Sequence, residues 1–397
     1  MPSASLLLAA LSLAIWLYLA VARGNFWRLR EFDDDTTKHE SPITWPPVVA
    51  VIPARNEAAI IAQVLASLLK QTYAGEFSVV LVDDHSEDAT VQVARQAASE
   101  LKAESRVNIC TAPALPSAWT GKVWALNEGV SQANRRGAAQ LRPSLASYYW
   151  FTDADIVHAP DTLRRLVSRA ERDHLDLASL MVLLQARTLP ERALIPAFLF
   201  FFLKLYPPRW IANQKTRTAG AAGGCILLRS EALQRIGGFA AILHEVIDDC
   251  ALARAVKLSG GRIWMGLTRA SVSLRAYPTF HEIRDLIART AFTQLRYSPL
   301  LLLGTLLAMF LTYLAPVAIL FAFAHQPAAQ ILGACTWLLM SLLYLPTIRF
   351  YRLSPAWAVT LPVTALFYSY ATFLSTVRYY LGRGAQWKGR SQAHRSQ

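Results

Sequence analysis

The fold is decided by the stretch VVAVIPARNE, which runs from Val48 to Glu57. Its first five residues are apolar and mostly β-branched, and Pro53 ends this run before a helical pattern that extends to about Lys70. A strand that is apolar at every position, rather than at every second one, is buried on both faces. The stretch therefore predicts the first strand and helix of an α/β sheet.

Strand-length apolar runs alternate with helical patterns further along the chain. They are Phe77 to Val82, Val107 to Thr111, Tyr148 to Thr152 and Leu177 to Leu183. This alternation predicts an α/β fold with a mostly parallel sheet that is covered by helices on both faces. Ligands of such sheets bind beyond the carboxyl ends of the strands, so the residues that follow each strand are candidates for a site.

The composition limits the class of protein. Of the 397 residues, 54% are apolar and 17% are charged, whereas soluble chains carry about 25% charged residues. Intrinsic disorder is excluded, and four scattered cysteines exclude a disulfide scaffold and read as reduced thiols. The formal charge of +13 fits a membrane surface and phosphate better than nucleic acid, because the basic residues flank the apolar runs.

The N-terminal apolar run, from Leu6 to Ala22, contains no charged residue. It is just long enough for a tilted span of a hydrocarbon core about 30 Å thick. A signal peptide is the alternative. A signal peptide requires basic residues before its apolar run, and this sequence has none there. Because Arg23, Arg28 and Arg30 follow, the positive-inside rule predicts that the next domain is cytoplasmic.

The C-terminal third contains three further apolar runs, Pro299 to Ala324, Ile331 to Ile348 and Ala356 to Val377. Three spans would leave the basic tail after Arg378 outside, against the positive-inside rule, so one run is alternatively re-entrant or interfacial. We expect an anchor at 1–22, a linker at 23–47, a cytoplasmic domain at 48–297, about three membrane helices at 298–380 and a basic tail at 381–397. Within the domain, the Phe-rich segment 193–211 predicts an interfacial helix, with an ordinary buried helix as the alternative.

Polar and mostly acidic residues follow three of the predicted strands. They are Pro53, Arg55 and Glu57 after the first, Asp83 and Asp84 after the second, and Asp153 and Asp155 after the strand that begins at Tyr148. Two carboxylates at i and i+2 suit Mg²⁺ or Mn²⁺, which take one or two carboxylates together with phosphate oxygens and water. The alternative is a turn, because the same spacing occurs at Asp33 to Asp35 with no strand before it.

Three further groups of residues are candidates for a site. Lys122 lies beside a predicted helix start and suits a phosphate, or is a solvated surface lysine. Gly223 and Gly224 allow close approach of backbone or substrate, or form a plain turn. Asp248 and Asp249 begin a predicted helix, where acids also complement the helix dipole. Gly-rich nucleotide fingerprints are absent from the sequence, which disfavours a dinucleotide oxidoreductase and a P-loop NTPase.

Taken in order, these motifs resemble the family-2 glycosyltransferases with the GT-A fold, a Rossmann-like α/β domain that binds nucleotide-sugars. The resemblance covers about Val48 to Tyr297. It rests on the first strand and turn, the acidic motif at Asp83 and Asp84, the D-x-D at Asp153 and the acid pair at Asp248, where Asp replaces the family's Glu. More narrowly, Thr120-Gly121-Lys122, the run Gln294 to Pro299 and the apolar ends resemble the hopene-associated glycosyltransferase subgroup.

The resemblance implies an inverting transfer from a UDP-sugar with Mg²⁺ or Mn²⁺, in the bacterial inner membrane. It implies uracil binding by Asp84 with Asp83, a nucleotide-sugar pocket lined by Pro53, Arg55, Glu57, Lys122 and Asp153, a metal on Asp155 and Asp153, and a general base at Asp249 beside Asp248. It further implies that Gly223, Gly224, Gln294 and Arg296 contact the acceptor or diphosphate.

The resemblance also bears on the acceptor. Processive members carry Q-x-x-R-W, whereas this chain has Gln294-Leu295-Arg296-Tyr297, which favours transfer of a single sugar. The expected acceptor is a membrane lipid, such as a hopanoid, with polyprenyl phosphate or a ceramide-type lipid as the alternative. A non-catalytic nucleotide-binding scaffold stays open, and a transporter is disfavoured because no charge falls in the middle of the apolar runs.

Overall fold

The computed structural model describes residues 3–33, 44–139, 146–322, 325–382, 386–387 and 390–391. Parts of the predicted linker and of the basic tail therefore lie outside the described residues. The chain forms two compact units. The sheet unit comprises Glu31–Leu184, Trp210–Ala276 and Gln386–Gln397, and the helical unit comprises Met1–Arg30, Gln185–Arg209 and Tyr277–Ala385.

The sheet unit is built on an eight-stranded mixed sheet. Its strands are β1 Val48–Ala54, β2 Phe77–Asp83, β3 Val107–Thr111, β4 Tyr148–Phe151, β5 Ile156–His158, β6 Leu177–Leu183, β7 Ile226–Arg229 and β8 Ile263–Ser273. The spatial order is β3-β2-β1-β4-β7-β6-β8-β5. All five strands predicted from the apolar runs are confirmed, and β7 is the short apolar strand expected after Cys225, whereas β5 and β8 were not expected from the sequence.

The order of the strands brings the motif residues to one edge. β1 lies between β2 and β4 and is parallel to both, with Ala54 opposite Asp83 and Val51 opposite Phe151. Because the three strands run in the same direction, their carboxyl ends meet at a common edge. The sheet is not wholly parallel, since β7 is antiparallel to both β4 and β6.

Helices cover the sheet and bury its apolar side chains. Those of the sheet unit are α2 Ile61–Leu69, α3 Thr90–Glu100, α4 Gly121–Ala139, α5 Thr162–Arg172, α7 Pro208–Ala212, α8 Ser230–Arg235 and α9 Asp248–Leu258. One large cluster of buried residues includes Ile52 of β1, Leu65 of α2, Leu81 of β2 and Trp150 of β4. The helix predicted from about Glu57 begins at Ile61, after a turn.

Residues 31–33 of the predicted linker are bound to the sheet unit. The backbone N–H of Leu267 in β8 donates to Glu31, and the N–H of Asp33 donates back to Leu267, in a parallel bridge. The nearly fully buried Asp33 carboxylate also pairs with Arg165 of α5 at 3.3 Å. Residues that the composition assigned to a linker are therefore packed against the sheet unit.

The helical unit contains four helical segments that are long and apolar enough to cross a membrane, Ala4–Val21, Pro299–Ala322, Pro327–Phe350 and Pro355–Tyr380. Its helices are α1 Ala4–Val21, α6 Leu189–Leu205, α10 Phe280–Ala288, α11 Ala291–Gln294, α12 Pro299–Met309, α13 Ala315–Ala322, α14 Pro327–Phe350 and α15 Leu361–Tyr380. Each of the four apolar runs in the sequence is thus helical over a span-length segment.

The first helix, α1, packs on other helices of this unit. A π-helical turn at Phe310–Leu314 joins α12 and α13. Ser12 Oγ donates to the carbonyl of Leu311, and Trp16 Nε1 donates to the carbonyl of Thr312, both at 2.7 Å. The fully buried Trp16 also packs edge-on against Tyr313. These contacts make α1 part of the packed helical unit.

The predicted interfacial segment 193–211 corresponds mainly to α6. A capping box of Thr188 and Glu191 starts the helix, and the fully buried Glu191 also accepts from the backbone N–H of Tyr277. Burial raises the pKa of Glu191, but the hydrogen bonds that its carboxylate accepts lower that pKa by a larger amount, so the net shift is downward. Many of the apolar side chains of α6 are buried, and the helix packs against other helices of the helical unit. Gln185–Arg209 and the chain from Tyr277 belong to that unit, whereas the predicted cytoplasmic domain extends to residue 297.

Candidate functional site

A pocket of the sheet unit lies where β1 and β4 end. Six of the residues that line it were singled out in the sequence, namely Pro53, Lys122, Asp153, Gly223, Asp248 and Asp249. They come from the end of β1, the start of α4, the end of β4, the loop before β7 and the start of α9. The tertiary structure therefore brings candidate residues from five separate segments into one site.

Lys122 is the cation of this pocket. Its Nζ lies 2.9 Å from Asp153 Oδ1 and 3.4 Å from Asp248 Oδ2, and its side chain is only 17% exposed. Burial lowers the pKa of Lys122, but Asp153, Asp248 and Asp249 raise it more, so the net shift is upward. The lysine therefore stays protonated at physiological pH, and the alternative of a solvated surface lysine is wrong.

Asp249 is a partly buried carboxylate held by backbone amides. The N–H of Gly223 donates to its Oδ2 at 2.8 Å, and the N–H of Cys250 donates to its Oδ1 at 2.7 Å. Burial and the neighbouring Asp248 raise the pKa of Asp249 to about 6, although Lys122 and the two amides lower it. A carboxylate with this pKa is ionised at neutral pH yet basic enough to accept a proton.

A side chain at Gly223 would crowd Lys122 and Asp249. A Cβ at this position would lie 3.1 Å from Lys122 Nζ and 3.4 Å from Asp249 Oδ2. We expect Gly223→Ala to displace one of these groups and to lower the catalytic rate of the protein about tenfold, since small displacements of a reacting group are costly. Steady-state kinetics in detergent measure this effect.

The matched control is Gly304→Ala in α12, where a Cβ meets nothing within 4 Å. This substitution is expected to leave the rate unchanged. A Gly223→Ala enzyme as active as the wild type would show that the close approach of Gly223 to Lys122 and Asp249 has no functional importance.

The first motif braces the loop that follows β2. Arg55 is nearly fully buried, and its Nη1 donates to the carbonyl oxygens of Asp84 at 2.6 Å and His85 at 2.8 Å. The backbone N–H of Glu57 donates to Thr90 Oγ1 at 2.7 Å. Arg55 therefore holds the shape of the predicted base-binding loop, a function that the residue type alone does not reveal.

The acidic motif after β2 is itself buried. Asp84 is fully buried, and Asp83 is 4% exposed. The carboxylate of Asp83 accepts from the backbone N–H of Ser86 at 3.2 Å. Gly224, from the other predicted group, packs against Val182, where a Cβ would lie at 2.9 Å. None of these three residues lines the pocket described above.

An arginine that the sequence analysis missed links two of the motifs. Arg275 Nη2 lies 2.7 Å from Glu57 Oε1, and its Nε lies 3.0 Å from Asp155 Oδ2. Ser273 Oγ is also 3.4 Å from that Asp155 oxygen. Arg275 follows β8, which has no clear sequence signal; had that strand been recognised, the polar residues after its end would have been candidates.

The two D-x-D carboxylates suit a divalent cation in part. Asp153 is 36% exposed in its side chain and lines the pocket, whereas Asp155 is 14% exposed and paired with Arg275. Across the described ranges of the chain, no group of three or more His, Cys, Asp or Glu residues is arranged to hold a metal. One or two carboxylates are nevertheless enough for Mg²⁺ or Mn²⁺ when phosphate oxygens complete the shell.

Gln294 and Arg296 belong to the helical unit. Gln294 Nε2 donates to the hydroxyl of Tyr206 at 2.7 Å. Arg296 and Tyr297 both have positive φ angles, 51° and 55°, which are uncommon for residues other than glycine. Tyr297 stacks on Tyr379 with ring centroids 4.6 Å apart. The departure from Q-x-x-R-W thus occurs in a strained turn that aromatic packing holds.

Comparisons with known proteins find similarity over part of the chain. Residues 49–237 match the family model described as Glycosyl transferase family 2. An N-acetylglucosaminyltransferase from Mesorhizobium japonicum is 33% identical over 130 residues, which cover 32% of this chain and 26% of the relative. The matched region thus spans about a quarter of that relative's length.

A solved structure supports the fold. The mannosyltransferase PcManGT from Pyrobaculum calidifontis, in complex with GDP-Man and Mn²⁺, aligns with 90% of this chain and 99% of its own, with a TM-score of 0.52 and 20% sequence identity. At this identity the likeness concerns the fold alone. It confirms the expected GT-A-like α/β architecture.

Proposed function

Starting from a glycosyltransferase family 2 domain at residues 49–237, we propose that the protein is a membrane-bound inverting glycosyltransferase. It transfers a single sugar from a UDP-sugar to a hydroxyl group of a membrane lipid. The observation that carries this proposal is Asp249, a partly buried carboxylate with a raised pKa that lies in a pocket with the cation of Lys122.

Asp249 is the general base. It accepts the proton of the acceptor hydroxyl while that oxygen forms a bond to the anomeric carbon of the sugar. The bond from that carbon to the diphosphate oxygen breaks on the opposite face, which inverts the configuration. The amides of Gly223 and Cys250 hold the two carboxylate oxygens in fixed positions, so little reorganisation is needed when the proton moves.

Lys122 and the D-x-D acids form the donor side of the pocket. The Lys122 ammonium attracts the diphosphate and stabilises the negative charge that develops on it as the sugar departs. Asp153 and Asp155 would hold Mg²⁺ or Mn²⁺, which would add further positive charge beside the leaving diphosphate. Asp83 and Asp84, on the loop that Arg55 braces, would recognise the uracil.

The acceptor is a lipid because the same chain carries four helical segments of span length and apolar composition. Gln294 and Arg296, in the helical unit, are the candidate contacts to its head group. Because the sequence resembles the hopene-associated enzymes, a hopanoid is the first acceptor to test, and the proposed location is the bacterial inner membrane with the catalytic domain in the cytoplasm. The name of the N-acetylglucosaminyltransferase relative supports UDP-N-acetylglucosamine as the first donor to test.

The proposal is tested with the full chain in detergent or nanodiscs. Radiolabelled UDP-sugars and GDP-sugars are incubated with Mg²⁺ or Mn²⁺, with and without hopanoid, polyprenyl phosphate or total bacterial lipid. The expected result is label that moves into the organic phase only when a lipid acceptor is present, with one sugar per lipid by mass spectrometry.

Two results would contradict the proposal. Transfer to a water-soluble acceptor with no lipid dependence would exclude a lipid acceptor. Binding of a nucleoside diphosphate without turnover on any donor and acceptor pair would favour the non-catalytic scaffold instead.

A further inference from the structure

Arg275 holds together two carboxylates that come from different motifs. Glu57 follows β1 and Asp155 follows β4, yet one oxygen of each lies within 3.0 Å of the same guanidinium. The contacts use Nε and Nη2, the two nitrogens that form one edge of the arginine fork. That edge usually binds both oxygens of a single carboxylate or phosphate. Here the two acids each supply one oxygen to an edge that could bind one bidentate anion.

The charges of these three side chains do not balance among themselves. Two ionised carboxylates and one guanidinium carry a net charge of −1, and the carboxylates are only 9% and 14% exposed in their side chains. Removing the cation without replacing it would leave two neighbouring negative charges in a poorly solvated place, which is strongly unfavourable. A divalent cation at the same oxygens would neutralise both charges.

Arg275 is more exposed to solvent than the acids that it binds. Its side chain is 33% exposed, compared with 14% for Asp155. A guanidinium matches a phosphate group as well as it matches a carboxylate, and it binds both in the same two-pronged manner. An arriving diphosphate therefore offers Arg275 an alternative partner, which the acids alone do not.

We propose that Arg275 is the resident counter-ion of Asp155 and Glu57 in the donor-free protein and competes with the divalent cation for Asp155. The donor diphosphate relieves this competition by accepting the guanidinium, so that nucleotide and cation bind cooperatively. This inference rests on the proposed function, because it assigns the D-x-D acids to a cation beside a nucleoside diphosphate.

The test is Mn²⁺ binding by the full-length protein in detergent, measured by titration calorimetry and by the electron paramagnetic resonance signal of free Mn²⁺. Titrations are made without nucleotide and with saturating UDP or GDP. In the wild type, nucleotide is expected to strengthen Mn²⁺ binding. In Arg275→Met, Mn²⁺ binding without nucleotide is expected to be about tenfold tighter than in the wild type, and the strengthening by nucleotide to shrink correspondingly.

Three further variants make the test specific. Arg172→Met is the matched control, because Arg172 is 30% exposed and pairs with Asp173 at 2.8 Å on α5, away from the pocket; it should bind Mn²⁺ as the wild type does. Asp155→Asn should weaken Mn²⁺ binding in both backgrounds. Arg275→Lys keeps the charge without the fork, so it should tighten Mn²⁺ binding less than Arg275→Met does, and it replaces that variant if the methionine protein does not fold.

The proposal is overturned if Mn²⁺ binding without nucleotide is unchanged or weaker in the Arg275 variants, because Arg275 would then position the acids rather than compete for them. It is equally overturned if nucleotide does not strengthen Mn²⁺ binding to the wild type. Neither measurement needs sugar transfer. Loss of transfer with intact coupling would count against the proposed function alone, and intact transfer with unchanged Mn²⁺ binding would count against the role of Arg275 alone.

Discussion

Replacement of Asp249 by asparagine is expected to lower kcat of sugar transfer about 10³-fold, within the range that a general base contributes. Asparagine has nearly the same shape, and its one carbonyl oxygen can accept the hydrogen bond that Gly223 donates at 2.8 Å, although its Nδ2 cannot accept from the N–H of Cys250. It cannot take a proton from the acceptor hydroxyl. Radiolabelled transfer under single-turnover conditions measures the chemical step directly.

The stability of this variant separates lost chemistry from lost folding. Burial raises the pKa of Asp249 from 3.8 to about 6 in the folded protein. The folded state therefore binds this proton more tightly than the unfolded state, and the contribution of Asp249 to stability falls as pH rises from about 4 through about 6. Asparagine has no charge to desolvate, which offsets the hydrogen bond lost from Cys250, so the Tm of Asp249→Asn at pH 7.5 should be close to that of the wild type.

UDP binding by Asp249→Asn should also be close to that of the wild type, because the base contacts the acceptor rather than the nucleotide. A variant that keeps most of the wild-type kcat would remove Asp249 from the mechanism. A variant that neither folds nor binds nucleotide would be uninformative, and Asp249→Glu, which keeps the carboxylate but moves it, would then take its place with an expected partial loss.

Replacement of Lys122 by methionine is expected to lower transfer at all pH values and to move the acid limb of the pH profile upward. In the wild type, kcat/KM should fall as pH drops through about 6, where Asp249 becomes protonated. Lys122 lowers the pKa of Asp249, so its removal raises that pKa. A shift of about one pH unit corresponds to a tenfold lower rate below the limb.

The methionine variant also loses the cation that attracts the donor diphosphate, so KM for the nucleotide-sugar should rise. Lys70→Met, which removes a lysine that is exposed at the end of α2, is the matched control. It should alter neither KM for the nucleotide-sugar nor the acid limb of the pH profile. A lower kcat with an unmoved acid limb would mean that Lys122 acts on the diphosphate only. An unchanged kcat and an unchanged limb would contradict both effects.

Local sequence patterns predicted the elements that carry the site. β1, β2 and β4 were expected from continuous apolar runs, and the acids after them were expected to meet at one edge, because parallel strands end together. The burial pattern of a strand follows from backbone geometry and needs no knowledge of distant residues. The apolar composition of the chain ends likewise predicted the four span-length helical segments.

The pairing of charges could not be predicted in the same way. Arg275 lies 120 residues from Asp155 and 218 residues from Glu57 in the chain, and its position depends on β8, which the local sequence did not reveal. The antiparallel β7 likewise lies between β4 and β6 and sets which loops face the pocket. Strand order is decided by the packing of the whole sheet, which local periodicity does not encode.

The sequence by itself determined that the chain is an α/β protein with apolar ends and with acids, a lysine and glycines at the places where a nucleotide-sugar site is built. Only the tertiary structure decided which charge neutralises which, that Arg55 braces a loop, and that Asp249 is buried enough for its pKa to rise to about 6. The physical reason is that secondary structure depends on neighbours in sequence, whereas electrostatic energy depends on distances and burial that only the folded chain sets.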